Sequence, residues 1–84
     1  MYSVEIAATA QKFLSKIPES ERRAILEKID SIRENPFHFL KRLHGGRLWR
    51  LRIMKYRAII DVIVKNRRLV VVSVGHRKNV YNGF

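Results

Sequence analysis

Hydrophobic and polar residues follow two different periods along this chain, which divides it into a helical part and a strand-rich part. Alternation over residues 1–6 predicts a short first strand. A first helix is expected over about 8–16. A second begins after Pro18 and ends at Asn35-Pro36, because three isoleucines between them repeat at i, i+4 and i+7. The short link between the two helices predicts an antiparallel helical hairpin.

The remainder of the chain has the pattern of a β-sheet. Residues 37–46 are expected to form a loop, followed by strands over 48–53, 56–64 and 69–75. Met54-Lys55 is an unusual pair for the turn between the first two of these strands. The chain is expected to be a single domain over 1–84. Its predicted class is α+β, an N-terminal strand and a helical hairpin packed on an antiparallel sheet of about four strands.

The charge lies almost entirely in the strand-rich part. Through Leu40 the chain has six basic and six acidic residues, whereas from Lys41 onwards it has twelve basic residues and one acid, Asp61. The whole net charge of +11 therefore comes from the second half. Because a surface selected only for solubility normally mixes both signs, this distribution favours a polyanionic partner, most simply nucleic acid.

Strand alternation places several of these cations on one face of the predicted sheet. Arg50 and Arg52 project away from the side that carries Trp49, and a two-residue turn places Arg52 directly opposite Arg57. A four-residue loop at 65–68 would then place His76 opposite Arg57. Like charges that face each other across strands cost about 0.2–1 kcal/mol. We therefore expect a phosphate-binding surface here, the alternative being an ordinary solvated face.

Composition excludes several kinds of site. The absence of cysteine removes disulfides, zinc-thiolate centres and thiol nucleophiles. With Asp61 as the only acid near the basic residues, neither a metal site nor a cofactor is expected. No apolar run approaches the length of a membrane span and no secretory pattern opens the chain, so we expect a cytoplasmic protein without a membrane partner.

Metal-free RNA cleavage is the chemistry that such a surface can support. The 2′-hydroxyl must lose a proton, the phosphorane must be stabilised, and the leaving oxygen must gain a proton. Arginine suits the second task, and His76 is the histidine nearest the arginines, whereas His38 and His44 are expected to be surface or structural residues of the loop. Tyr81 could stack on a base or simply pack on the sheet. Three further cations could contact substrate or form a basic rim: Lys41, Arg42 and Arg47.

Two segments of the strand-rich part, LWRLRIMKYRAIIDVI and VVVSVGHRKNVY, resemble the RelE toxins of the RelE/ParE toxin–antitoxin superfamily. FLSKIPESERRAILEKIDSIRENP and LKRLHGG resemble that family's helical hairpin and connecting loop, so the likeness covers essentially the whole chain. It implies an RNase-like fold and a ribosome-dependent endoribonuclease that inhibits translation. Such a toxin cuts mRNA in the decoding site of the small subunit, and the product ends are a 2′,3′-cyclic phosphate and a 5′-hydroxyl.

The resemblance also implies roles for individual residues. Arg57 matches the clamp on the scissile phosphate, and Arg77 matches the residue that stabilises or protonates the leaving oxygen. His76 matches an acid–base position, and Tyr81 matches an aromatic residue that stacks on a base. Arg52, with Arg50, matches a basic pair that contacts RNA and assists proton removal. The expected catalytic set is Arg52, Arg57, His76, Arg77 and Tyr81, and the expected substrate-binding set is Arg47, Arg50 and Lys55.

A RelB-type antitoxin is the protein partner that the resemblance implies, with acidic side chains on the arginines and a toxin–antitoxin heterotetramer as a compatible assembly. Two departures from the family pattern concern the hairpin: Met54-Lys55 replaces a glycine-containing turn, and Ile60 replaces a tyrosine. Two other functions stay open. A ParE-like DNA gyrase inhibitor shares the scaffold but does not need the arginine, histidine and tyrosine set. A non-catalytic nucleic-acid-binding module would tolerate lysine in place of any one arginine.

Overall fold

The computed structural model describes residues 1–43 and 46–77, in which two helices pack on one face of a five-stranded sheet. The elements are β1 (Ser3–Ile6), α1 (Ala8–Leu14), α2 (Glu19–Ser31), a 3-10 turn (Pro36–His38), β2 (Lys41–Arg42), β3 (Leu48–Ile53), β4 (Tyr56–Ile63) and β5 (Arg68–His76). The predicted α+β class is confirmed. Both helices end earlier than predicted, α1 by two residues and α2 before the turn that leads to Pro36.

The apolar side of α2 lies at the centre of the core. Ile25, Ile29 and Ile32 are each at most 1% exposed, as their helical spacing predicts. α2 begins directly after Pro18 and carries Glu19 and Glu21 in its first turn, where the helix dipole favours negative charge. On β3 and β4 the residues that the helices cover have the predicted parity: Leu51, Ile53, Tyr56, Ala58, Ile60 and Val62. On β5 the helices cover Leu69, Val71 and Val74.

The sheet has one more strand than expected and is mixed rather than antiparallel, in the order β1-β5-β4-β3-β2. β1 pairs with β5 in parallel, with Val4 beside Leu69, because the helical hairpin carries the chain back across one face. β2 lies within the segment predicted as a loop and pairs with β3 at the sheet edge. Two residues are too few to produce a detectable alternation, which is why the sequence did not predict this strand.

The sheet face that points away from the helices, called the outer face below, has two ends. Its hairpin end lies at the Met54-Lys55 turn between β3 and β4, and its far end lies at the loop between β4 and β5. That loop spans 64–67, one residue earlier than predicted, since Ile63 pairs with Arg68. No helix in the described part of the chain is long and apolar enough to cross a membrane.

Candidate functional site

The β3–β4 hairpin brings two arginines face to face at the hairpin end. Arg52 is the cross-strand partner of Arg57, as predicted from the two-residue turn. Met54 makes this turn possible by adopting a positive φ of 53°, a conformation that a glycine would adopt without strain. Met54-Lys55 therefore preserves the hairpin register, which was in doubt from the sequence. Two guanidinium groups of the same sign are held side by side on the outer face.

The register between β4 and β5 changes partway along the two strands because β5 contains a bulge. Ile59 pairs with Ser73 and Ile60 with Val71, so Val72 is an extra residue on β5. The carbonyl oxygen of Val72 accepts a hydrogen bond from the Thr9 hydroxyl of α1 at 2.7 Å. This contact satisfies a backbone group that lies outside the regular ladder.

The predicted pairing of His76 with Arg57 is wrong. Gly75 lies opposite Arg57, and His76 pairs with Tyr56. The earlier loop at the far end shifts the pairing by two residues relative to the prediction, and the bulge restores one of them. The His76 ring lies 5.2 Å from the Tyr56 ring and 5.9 Å from the Phe13 ring, on the side of the sheet that carries the helices. Since Gly75 has no side chain, β5 leaves room beside Arg57.

Arg77 joins the two hairpin arginines through its backbone. Its N–H donates a hydrogen bond to the Lys55 carbonyl oxygen at 3.0 Å, which holds the end of β5 against the β3–β4 turn. Desolvation, followed by the positive charges of Arg52 and Arg57, lowers the pKa of Arg77. The positive charges of Arg52 and Arg57 therefore act unfavourably on the charged form of Arg77. An anion placed among them relieves that repulsion.

Two depressions adjoin at Arg57. An open cleft of about 540 Å³ is lined by Lys55, Arg57, His76 and Arg77. His76 thus borders the same cleft as Arg57, although their side chains project from opposite faces of the sheet. A smaller recess of about 110 Å³ is lined by Phe39, Lys41, Arg50, Arg52 and Arg57. We call the surface formed by Arg50, Arg52, Arg57 and Arg77 the arginine face.

Beneath the turn, a carboxylate ties α2 to the hairpin. The Tyr56 hydroxyl donates a hydrogen bond of 2.5 Å to Glu21, whose carboxylate also lies 3.4 Å from the Lys55 ammonium. The hydrogen bond from Tyr56 lowers the pKa of Glu21, assisted by Lys55 and His76 and opposed by burial. The same hydrogen bond, with burial, raises the pKa of Tyr56 to about 12. Sequence reasoning missed Glu21 because its partners are more than thirty residues away along the chain.

The remaining predicted residues are distributed differently. Arg50 pairs across strands with Lys41 on the edge strand, and so lies beside the hairpin arginines. Arg47 lies at the far end, where it pairs with the Asp61 carboxylate at 3.3 Å, away from the rest of the set. The Lys55 ammonium is held by Glu21 beneath the turn. Tyr81 and His44 lie outside the described residues.

This arrangement can bind and polarise a phosphate diester. Arginine offers several donors in a planar fork that matches phosphate oxygens. Two arginines from one hairpin and a third from the end of β5 provide donors from separate directions. Within 1–43 and 46–77, no three acidic or histidine side chains form a group that could hold a metal ion.

Comparison with known proteins gives matches at the level of both sequence and fold. A family model described as the ParE toxin of type II toxin–antitoxin systems, parDE, matches residues 4–81. The Methanocaldococcus jannaschii protein that bears the name toxin RelE4 is 29% identical over 86 residues, which cover 96% of this chain and 92% of that protein.

Solved structures with the same fold include two toxin–antitoxin complexes. The RelBE2 complex of Mycobacterium tuberculosis matches with a TM-score of 0.82 and 24% identity, covering 90% of this chain and 98% of the matched one. The RelE–RelB complex of Pyrococcus horikoshii matches with a TM-score of 0.78 and 28% identity, covering 90% and 94%. The first likeness concerns the fold alone.

Proposed function

The chain belongs to the ParE toxin family of type II toxin–antitoxin systems, and from that premise we propose that its arginine face cuts mRNA on the ribosome. The observation that carries this proposal is the gathering of Arg52, Arg57 and Arg77 at the hairpin end. A surface that holds like charges together at a cost in stability is suited to a phosphate whose charge increases during the reaction.

The proposed reaction is an internal transfer of the phosphate. The 2′-hydroxyl oxygen bonds to the adjacent phosphorus while the bond from phosphorus to the 5′-oxygen breaks, which leaves a 2′,3′-cyclic phosphate and a 5′-hydroxyl. Arg57, at the junction of the cleft and the recess, holds the scissile phosphate. Arg77 stabilises or protonates the leaving oxygen, and release of its proton is favoured because desolvation and then the neighbouring cations lower its pKa.

The proton of the 2′-hydroxyl needs an acceptor on the same side of the cleft. Arg50 and Arg52 hold the RNA strand and assist proton removal in this proposal. His76 lines the cleft with Arg57 and is the proposed acid–base group, although it approaches from the edge of the sheet rather than from the arginine face. Tyr81, as the stacking aromatic, stays a prediction from the resemblance.

As its described residues form it, the cleft is open to solvent and is not a deep groove that would fix an RNA strand by itself. Catalysis by positioning requires the 2′-hydroxyl, the phosphorus and the leaving oxygen to be aligned, and a scaffold must supply that order. We propose that the ribosomal decoding site in the cytoplasm does so. A RelB-type antitoxin is the proposed inhibitor, its acidic side chains neutralising the arginine face. This is consistent with the solved complexes of similar fold, which contain a toxin and an antitoxin.

Primer extension on a translated mRNA tests the proposed function. The wild-type chain should produce codon-phased cuts that disappear in Arg57→Ala and in Arg77→Ala. Lys65→Ala is the matched control, because it removes one exposed cation from the loop at the far end. Undiminished cutting by both arginine variants would place the active site elsewhere, and absence of cutting by the wild type would reject the ribonuclease.

A second candidate function is inhibition of DNA gyrase, which the match to the ParE toxin model favours. This function needs no RNA chemistry at the arginine face. Incubation of supercoiled plasmid with gyrase and the chain separates the two candidates. Accumulated gyrase cleavage complexes, without cuts in translated mRNA, would favour the gyrase inhibitor, whereas the ribonuclease leaves plasmid topology unchanged.

A further inference from the structure

A solvent-exposed aromatic ring stands at the edge of the arginine face. Phe39 is 43% exposed and forms one wall of the 110 Å³ recess whose other described walls are basic. Those walls are contributed by the neighbouring strands: Lys41, Arg50, Arg52 and Arg57. Since Arg57 also lines the larger cleft, the ring lies next to the surface that we propose holds the scissile phosphate.

The local fold fixes where this ring lies. The N–H of Phe39 donates to the Pro36 carbonyl oxygen at 3.0 Å, which closes the 3-10 turn. Leu40 is buried in the core, so Phe39 and Lys41 on either side of it are displayed rather than buried. The Lys28 ammonium lies 5.2 Å from the centre of the Phe39 ring and the His38 ring lies 5.0 Å away. These contacts hold the ring in place and leave the residue 43% exposed.

We propose that Phe39 is a stacking platform for one base of single-stranded RNA, the base of a nucleotide adjacent to the phosphate held by Arg57. Lys41 and Arg50 then contact the flanking phosphate. This inference rests on the proposed RNA-binding function of the arginine face and adds a base-binding site to it. An aromatic ring bounded by cations is the combination that binds single strands with little sequence preference, because every base has a π-face.

An acidic protein segment is the other polyanion that this surface could meet. Such a segment needs the cations but gains little from an exposed phenyl ring among them. Phe37 provides the contrast within the same loop. It is equally exposed, at 43%, but its ring packs edge-to-face against Trp49 at 5.0 Å and is not among the described walls of the recess.

Binding of a fluorescent RNA heptamer, made uncleavable by 2′-O-methylation, tests the platform by anisotropy at low salt. Phe39→Ala and Phe39→Leu should each weaken binding about ten-fold, the order expected for loss of one base stack. Phe39→Trp should bind at least as tightly as the wild type, and the control Phe37→Ala should bind equally well. Thermal melts identify any variant that fails to fold. If Phe39→Ala does not fold, the RNA affinities of Phe39→Leu and Phe39→Trp test the platform.

A series of heptamers that each lack one base locates the contact. One abasic position should weaken wild-type binding by about the same factor as Phe39→Leu and should cost that variant nothing further. Equal binding by Phe39→Leu and the wild type, or the absence of such an abasic position, would overturn the platform. If Phe39→Leu weakens the binding of a polyglutamate peptide but leaves RNA binding unchanged, the ring contacts a protein partner instead.

Cleavage of translated mRNA separates failure of this inference from failure of the proposed function. If the wild type cuts and Phe39→Leu cuts with the same half-saturating concentration, the platform is wrong and the ribonuclease stands. If Phe39 governs RNA binding but the wild type cuts nothing, the binding site stands and the ribonuclease is wrong. Absence of measurable RNA binding by the wild type rejects the platform directly.

Discussion

The two ends of the outer face carry the same kinds of side chain in opposite electrostatic settings. At the far end, Arg68 pairs with Glu5 at 2.6 Å and Arg47 pairs with Asp61 at 3.3 Å. At the hairpin end, Arg52 instead faces Arg57. No carboxylate in the described part of the chain forms an ion pair with Arg52 or with Arg77.

The difference shows that the fold itself does not impose the repulsion. Glu5 and Asp61 occupy outer-face positions on strands of the same sheet, so carboxylates are compatible with this surface. Carboxylates beside Arg52 and Arg77 would have been possible in the same way, whereas here desolvation and then the charges of Arg52 and Arg57 lower the pKa of Arg77. Among the described residues, Arg52 and Arg77 have no carboxylate beside them on a face that carries carboxylates at its other end, which indicates an anionic ligand rather than a structural requirement.

The largest expected effect concerns the geometry of the cations rather than their charge. Arg57→Lys should reduce cleavage of translated mRNA by about 100-fold or more, because an ammonium cannot reproduce two parallel hydrogen bonds to phosphate. Arg68→Lys at the far end should leave cleavage unchanged. Single-turnover rates on stalled ribosomes provide the measurement. Equal activity of the two variants would reduce the arginine face to a binding surface that needs positive charge alone.

A second expected effect concerns the contact beneath the hairpin end, where Glu21 holds the turn to α2. Its folded pKa is lowered, so its contribution to stability is present above its ordinary pKa of 4.5 and is lost as the pH falls through the folded value. Glu21→Gln should therefore lower the free energy of unfolding at pH 7. The difference between this variant and the wild type should be smaller at pH 3. Urea denaturation of this variant, compared with Glu27→Gln on the exposed side of α2, measures both.

The smallest effect gives the most direct test of the comparison, because removing a cation should have opposite consequences at the two ends. Arg52→Gln should raise the free energy of unfolding by about 0.2–1 kcal/mol, since it removes a like-charge pair across strands. Arg68→Gln should lower it by about 0.2–1 kcal/mol, since it breaks an exposed ion pair. Urea denaturation at low salt measures both. Changes of the same sign would contradict the electrostatic contrast.

The periodicity of hydrophobic residues correctly predicted the features of the fold that are determined by short segments of sequence. The helical spacing of Ile25, Ile29 and Ile32 identified the buried side of α2. Period-two alternation and a two-residue turn sufficed to place Arg52 opposite Arg57. Both inferences depend on short stretches of chain whose geometry is set locally.

Contacts between distant segments escaped the same reasoning. The bulge at Val72 is stabilised by a hydrogen bond from Thr9 of α1. Val72 and its two neighbours in the sequence include no glycine that would predict a bulge. The helical pattern of α2 gave no sign that the carboxylate of Glu21, in its first turn, reaches Tyr56. Phe39 lies in a segment with no hydrophobic periodicity, so the sequence did not indicate its position. The pairing of β2 with β3 brings it beside the arginines.

The extra residue in β5 reverses which alternate residues of the strand face the helices. Before it, the odd-numbered residues Leu69 and Val71 face the helices, whereas after it the even-numbered Val74 lies in the core. Gly75 and, two residues later, Arg77 thereby come to the side occupied by Arg57. In an unbroken strand, odd positions would continue towards the helices, and the third arginine would be carried to the wrong side. One inserted residue lets a single strand serve a hydrophobic interior and a cationic surface in succession.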